Sequence, residues 1–184
     1  MRYIIAADLH GSAFYCEKLI ERFHSEKADK LLLLGDILYH GPRNELPKGY
    51  DPKRVFGILN QLKDKIICIR GNCDSEVDQM VLEFPIMADY TIIETDGLTM
   101  FATHGHLFNH DNPPPLRKNM ILLNGHFHLP RWEVYEGFTY INTGSLSLPK
   151  ENSCHSYIVY EAGEFVWKDV LEETEFNRYN VKQT

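Results

Sequence analysis

Five short apolar runs in this chain end in side chains able to hold a metal ion. YIIAA runs into Asp8-Leu9-His10, LLLL into Gly35-Asp36, IICIR into Gly71-Asn72, MFAT into His104-Gly105-His106, and MILLN into Gly125-His126-Phe127-His128. Asp8, His10, Asp36, Asn72, His104, His126 and His128 together offer two carboxylates, an amide and four imidazoles, with no thiolate needed. That set exceeds the four ligands of a tetrahedral zinc site and suits two borderline divalent cations better than one. Asp8 with His10, and His126 with His128, are two apart, a spacing that in extended backbone sends both side chains to one side. Singly, each residue has an ordinary use: a strand-end His is commonly a hydrogen-bonded surface residue, Gly-Asp a turn, and Asp8 an N-cap. Those uses do not explain donors at all five ends together, and the set reads as a metal site.

The elements that would position these donors follow from hydrophobic periodicity. Residues 2–7, 30–34 and 65–69 are apolar runs suited to buried strands. Ser12 reads as the N-cap of a helix running to about residue 27, and Asp51, followed by Pro52, as the cap of another over 51–62. The order β-α-β-α-β calls for parallel strands with crossover helices, whose carboxyl ends open a crevice for ligands. Glycine stands beside four of the five donor-bearing ends, where the chain must turn sharply. A short helix is expected near 76–82, then a hairpin turning at Asp96-Gly97, then strands over 120–124, 132–135, 139–142, 156–160 and 165–170. Two sheets packed face to face with helices outside would bury this many strands, in one domain spanning 1–184. The loops HGPRNELPKGYDP and HLFNHDNPPPLRK are long and rich in Pro, Gly and Asn, and loops of that length are often functional.

Composition narrows the function. Of the 184 residues, 43% are hydrophobic, enough for one real core. Lys and Arg number 19 against 26 Asp and Glu, a net charge of -7 with no long basic run, which argues against a stable grip on nucleic acid or an anionic membrane. Cys16, Cys68, Cys73 and Cys154 form no CxxC pair and read as reduced thiols. The opening apolar run is too short for a signal segment, and no later run approaches the roughly 18 residues of a membrane span. A cytoplasmic protein is the expectation.

In the order DLHG, LLGDI, RGNCD, THGH and GHFH, the motifs resemble those of the calcineurin-like metallophosphoesterase family. The stretches LLGDILYHGPRNELPKGYDP, RGNCDSEVDQM, THGHLF and NTGSLSLPK extend the likeness to its small bacterial phosphodiesterases of the YfcE type along nearly the whole chain. The resemblance implies an α/β fold, a four-layer α/β/β/α sandwich of two mixed sheets flanked by helices. It implies that Asp36 bridges two divalent ions, that Asp8, His10 and His128 complete one, and that Asn72, His104 and His126 complete the other. Such a pair, about 3.5 to 4 Å apart, generates a hydroxide for in-line attack on phosphorus. Mn2+ is the first expectation for the metal, with Fe, Zn2+ or Co2+ as alternatives.

Asp36, Asn72 and Cys73 would then stand nearest the reaction. Many relatives carry His after the Asn; here Cys73 fills the slot, a poor stand-in for an acid and better read as a small side chain leaving room for substrate. Asp74 reads as a turn or helix cap, and His106 and Ser145 as supports to the ligands. Arg43 is either a clamp on a phosphate oxygen or a solvated loop residue. Phe127, where Thr is frequent, and Thr143, where Pro is frequent, suggest a different pocket wall. The implied activity is hydrolysis of small phosphodiesters, with phosphomonoesters or a non-catalytic scaffold role as alternatives. A homo-oligomer is left open.

Overall fold

In the computed structural model, which describes residues 1–181, the N-terminal apolar runs become three strands of one sheet. They are β1 (Tyr3–Ala6), β2 (Lys30–Leu33) and β3 (Ile66–Cys68), joined by helices α1 (Ala13–Ser25) and α2 (Pro52–Leu59). Both adjacent pairs are parallel, the arrangement that crossover helices impose. Ser12 caps α1 by accepting from the Tyr15 N–H at 3.2 Å, and Asp51 caps α2 by accepting from Arg54 N–H at 3.1 Å. Both helices end earlier than periodicity suggests. Past α1 the chain turns left-handed at Lys27 (φ 53°). Past α2, Asn60–Lys65 tighten into a 3-10 segment, where the Asn60 amide donates to Val81 O and accepts from Glu83 N–H.

The remaining elements are a four-residue α3 (Glu76–Gln79), then β4 (Tyr90–Thr95), β5 (Leu98–Thr103), β6 (Met120–Asn124), β7 (Pro130–Tyr135), β8 (Phe138–Thr143), β9 (Ser156–Glu161), β10 (Glu164–Asp169) and β11 (Glu175–Asn180). The first sheet has the order β11-β10-β9-β1-β2-β3 and the second β4-β5-β6-β8-β7. Both are mixed: β9, β10 and β11 run antiparallel to their neighbours, and β5, β6 and β8 are parallel. Asp96-Gly97 turns the β4–β5 hairpin as expected. Strand β11 has no counterpart in the sequence reading. It pairs through one side only, with β10, and only Tyr179 among its residues is buried, so its apolar signal is faint.

Alternation along β1 and β2 feeds two cores. Ile4, Ala6, Leu31 and Leu33 pack against Leu19, Phe23, Val55 and Leu59 of the helices. Ile5, Ala7, Leu32 and Leu34 meet Ile121, Leu123 and Ile141 across the gap between the sheets. Burial on both faces is why these strands read as unbroken apolar runs. On the outer face of the second sheet, Phe101, Leu122 and Tyr140 are covered by Phe108 and Leu116 from the long proline-rich loop. The fold is thus two mixed sheets with flanking helices. No helix among the described residues is long and apolar enough to cross a membrane.

Leu32, wholly buried between the sheets, provides a test of that core. Leu32→Ala should lower unfolding free energy by about 2 to 5 kcal/mol, while exposed Leu46→Ala should stay within about 0.5 kcal/mol. Urea unfolding measures both; equal effects would contradict the packing described.

Candidate metal centre

All five donor-bearing strand ends meet at one edge of the two sheets. Asp8, His10 and Asp36 follow β1 and β2, Asn72 follows β3, and His104, His126 and His128 follow β5 and β6. The backbone there is not extended, contrary to the reasoning from two-residue spacing. Asp8 (φ 57°), His10 (49°), Asp36 (57°), His126 (64°) and His128 (62°) all sit in the left-handed region. Such conformations cost of order 1 to 3 kcal/mol each for non-glycine residues and persist only where surroundings enforce them.

Those surroundings are identifiable. The Asp8 carbonyl accepts from Ser145 Oγ at 3.0 Å and Ser147 Oγ at 2.9 Å, while Asp8 N–H donates to Gly35 O at 3.2 Å. His10 N–H donates to Asp36 O at 2.9 Å. Asp74 accepts from the N–H groups of Asp36 (2.8 Å), Ile37 (2.8 Å) and Gly71 (2.7 Å), so it ties the β2 and β3 ends together as well as closing a turn. The approach is close enough that a Cβ on Gly71 would lie 2.0 Å from Asp36 Oδ1. Only glycine fits there.

Three histidines are oriented by backbone carbonyls. Nδ1–H of His10 donates to Tyr39 O (2.9 Å), that of His104 to Leu34 O (2.7 Å) and that of His128 to Leu148 O (2.5 Å). A carbonyl only accepts, so each of these rings, when neutral, turns an Nε2 lone pair inward. His10 Nε2 and His128 Nε2 then face each other at 3.4 Å, with Asp8 Oδ1 at 3.7 and 3.3 Å from them. Asp8 is fully buried, its Oδ2 accepts from His126 N–H at 2.9 Å, and its Oδ1 has no hydrogen-bond partner. Around His104 Nε2 stand Asn72 Oδ1 (3.1 Å), His126 Nδ1 (3.2 Å) and Asp36 Oδ2 (3.4 Å). Asp36 Oδ2 is also 3.7 Å from His10 Nε2, between the two groups, while its Oδ1 accepts from Cys73 N–H at 2.8 Å. All seven side chains singled out in the sequence are therefore brought together.

The electrostatics match that crowding. Burial works to raise Asp8 and Asp36, yet the imidazoles outweigh it, His128 and His104 holding Asp8 low and His104 and His10 holding Asp36 well below the usual carboxylate range. Burial works to lower His104, but Asp36 and Asp8 lift it to about 9. His128 is raised by Asp8 against the same burial. His126, pressed by burial and by His104, falls to about 4.

The neighbours sort as follows. Cys73 Sγ lies within 4.8 Å of the His10 and Asp36 donors, but burial and then the Asp36 charge push its thiol far up, so it stays protonated. His106 packs beside His104 and His126, with ring centroids 5.4 and 6.2 Å away, outside the donor cluster. Phe127 and Arg43 line the cavity over the donors, which measures about 420 Å3. Thr143 is wholly buried, donates to Gly144 O and does not face the cavity. Sequence reasoning missed Lys150 on the cavity wall, Ser147, and the carbonyls of Leu34, Tyr39 and Leu148. The alternating serines of GSLSL were the available signal for Ser147; the carbonyls have none.

Two mixed sheets that gather N and O donors at their strand ends define a calcineurin-like phosphoesterase, and the profile of the calcineurin-like phosphoesterase superfamily domain matches residues 1–164. The chain belongs to that family, a class of hydrolases acting on phosphate esters with divalent metal ions. It is similar to phosphodiesterase YfcE of Escherichia coli strain K12, at 46% identity over 157 residues, 85% of each chain. A solved structure of YfcE, a phosphoesterase from E. coli, superposes with a TM-score of 0.95 at 40% identity, covering 98% of this chain and 100% of that one. Vps29 of Entamoeba histolytica, solved with zinc, shares the fold at a TM-score of 0.66 and 16% identity, over 98% and 99% of the two chains.

The pKa shifts predict an unusual pH response. His104 titrates near 9 folded against 6.5 ordinarily, so its stabilisation is complete below about pH 6.5 and is lost as pH rises to about 9. His128 acts in the same direction, while His126, already neutral above pH 6.5, adds nothing. Chelated protein should melt at lower temperature at pH 9 than at pH 6.5, and His104→Asn should flatten that fall. Adding Mn2+ at pH 8 should raise the melting temperature, because a cation bound only by the folded state stabilises it and requires neutral imidazoles. A melting temperature indifferent to chelator and Mn2+ would contradict a preformed centre.

Proposed function

We propose that the protein is a phosphodiesterase dependent on two divalent metal ions, acting on small phosphate esters in the cytoplasm. The observation that carries this reading is the buried, unpartnered Asp8 Oδ1 facing the Nε2 lone pairs of His10 and His128. An ionised carboxylate oxygen and imidazole nitrogens so placed call for a shared positive charge, and a divalent cation is a partner that satisfies them all. Asp8, His10 and His128 would hold one ion; Asn72, His104 and His126 the other; Asp36 Oδ2 would be shared. The donors are oxygen and nitrogen, which suits Mn2+ and admits Fe, Zn2+ or Co2+. Bound there, divalent ions supply Lewis acidity toward phosphoryl oxygens and depress the pKa of a water to near neutrality.

The chain's own residues set the rest. The carbonyl contacts of His10, His104 and His128 fix their rings before substrate arrives, so little reorganisation accompanies reaction. Asp74 fixes the backbone of Asp36, and Cys73 N–H fixes its outer oxygen, leaving Oδ2 directed inward. Cys73 keeps its proton and offers the departing oxygen no strong acid. Substrates with good leaving groups are therefore favoured, and this supports diesters as the class. The YfcE relative, itself named a phosphodiesterase, supports the same class.

Bis(p-nitrophenyl) phosphate with added Mn2+ should be hydrolysed, and chelator should abolish the reaction. Turnover of p-nitrophenyl phosphate alone would replace the diester reading with a monoesterase, and no turnover of either would favour a binding role. Asp36→Asn should retain under about a tenth of wild-type kcat, since removal of a shared charge costs more than about 1.4 kcal/mol of transition-state stabilisation.

Cys73→Ala should keep most activity toward aryl diesters. Cys73→His should favour alkyl over aryl esters, by less than the roughly 10²- to 10⁴-fold of a well-placed general acid. A Cys73→Ala protein that is inactive with its metals bound would make the thiol chemically essential.

A further inference from the structure

Two cations on the cavity wall have no place in the chemistry above. Arg43 and Lys150 both line the cavity, both are exposed, and neither has a carboxylate partner among the described residues. Among the described residues Arg2, Lys18, Arg22, Arg54, Lys63, Arg70, Lys168 and Arg178 have acidic partners, and of the remaining cations Arg43 and Lys150 are the two that line this cavity. In a chain of net charge -7, two free cations at one cavity are a local reversal of sign.

They also share a rim. The segment bearing Arg43 begins at Tyr39, whose carbonyl holds His10, and Lys150 lies two residues past Leu148, whose carbonyl holds His128. Those imidazoles are ring neighbours, 5.3 Å between centroids, so both segments border the His10–His128 side of the site. Each is anchored: Asn44 Nδ2 donates to His40 O at 2.8 Å, and Lys150 N–H donates to His128 O at 3.2 Å. Both side chains line the cavity above the donors.

Charge counting indicates what they meet, and it rests on the two-metal reading. Two divalent ions held beside Asp8 and Asp36 would leave two positive charges, for the anion of a diester and the nucleophile to offset. Arg43 and Lys150 then add two more that a simple diester leaves unanswered. We propose that Arg43 and Lys150 form a specificity subsite for a phosphate dianion on one arm of the substrate, so that the preferred class is a phosphodiester carrying a second, terminal phosphate. The Arg fork suits two phosphate oxygens and the Lys a third.

The test compares p-nitrophenyl ethyl phosphate with p-nitrophenyl 2-phosphonoethyl phosphate at pH 8, on Mn2+-loaded wild type, Arg43→Gln, Lys150→Gln and the double variant. Wild type should prefer the phosphonate-bearing ester by about tenfold or more in kcat/KM, through KM, and the preference should shrink with added salt. The double variant should lose that preference while its rate on the ethyl ester stays within about twofold, because neither residue contacts the scissile phosphate on this account. Independently of turnover, phosphorus NMR of ethylphosphonate titrated with metal-free protein should show saturable binding that the double variant weakens by about tenfold. Equal losses on both esters would place the cations at the scissile phosphate and overturn the proposal, as would an absent preference in wild type or unchanged ethylphosphonate binding. Failure of wild type to turn over the ethyl ester at all would instead overturn the two-metal phosphodiesterase reading.

Discussion

Lone pairs gathered in a buried place repel one another, and much of this fold is arranged to keep them together. Asp8 Oδ1, Asp36 Oδ2, Asn72 Oδ1 and four imidazole nitrogens crowd a region where neighbouring donor atoms stand 3.1 to 4.0 Å apart. Water alone would draw such groups outward. They are held instead by bonds formed away from the centre: three ring N–H groups to backbone carbonyls, and the Asp8 and Asp36 backbones to Ser145, Ser147 and Asp74. The cost of the arrangement, left-handed backbone at five donor positions, is met by packing and hydrogen bonding elsewhere.

Sheet topology explains why those particular strands supply the donors. In the first sheet β1, β2 and β3 are parallel, and in the second β5, β6 and β8 are parallel, so within each sheet these strands place their carboxyl ends at one edge. Packing the sheets face to face through Ile5, Leu32, Ile121 and Leu123 brings the two edges together. The antiparallel strands β4, β7, β9, β10 and β11 extend the sheets and deepen the core without contributing a donor. The active half of each sheet is thus its parallel half, which accords with the rule that α/β sheets bind ligands at strand carboxyl ends.

The parts of this arrangement visible in the sequence are those with a one-dimensional trace. Buried strands are apolar runs, polar side chains terminate them, and Ser12 and Asp51 mark helix starts, so the two-sheet fold and the seven side chains that meet at its edge are legible in the sequence. What lay hidden has no such trace. Left-handed backbone at Asp8 or His128 is imposed by tertiary hydrogen bonds, and spacing alone wrongly favoured extended chain there. Asp74 seemed a local turn residue because its contacts to Asp36 and Ile37 span 38 and 37 positions. Strand β11, EFNRYN on an edge with Phe176 and Tyr179 its only large apolar residues, lacks the run that revealed the others. Lys150 was invisible for the same reason: only folding sets it beside a cavity whose donors lie more than twenty positions away.

Fold likeness by itself shows only an architecture, which the Entamoeba Vps29 structure shares at 16% identity. The energetic state of the centre says more. A buried carboxylate oxygen with no partner costs on the order of 1 to 3 kcal/mol, and facing imidazole lone pairs add to it. A protein used only as a surface would gain from replacing such groups with apolar ones of similar size, which are often as stable or more so. This chain instead keeps seven donors, glycine at the one position where a Cβ would strike Asp36, and an open cavity directly above them. Protons relieve the repulsion in part, as the raised His104 indicates, but a proton satisfies two lone pairs and leaves the others facing one another. A divalent cation accepts four to six donors at once, so a metal held there would resolve the geometry, and the cavity above would give it something to act on.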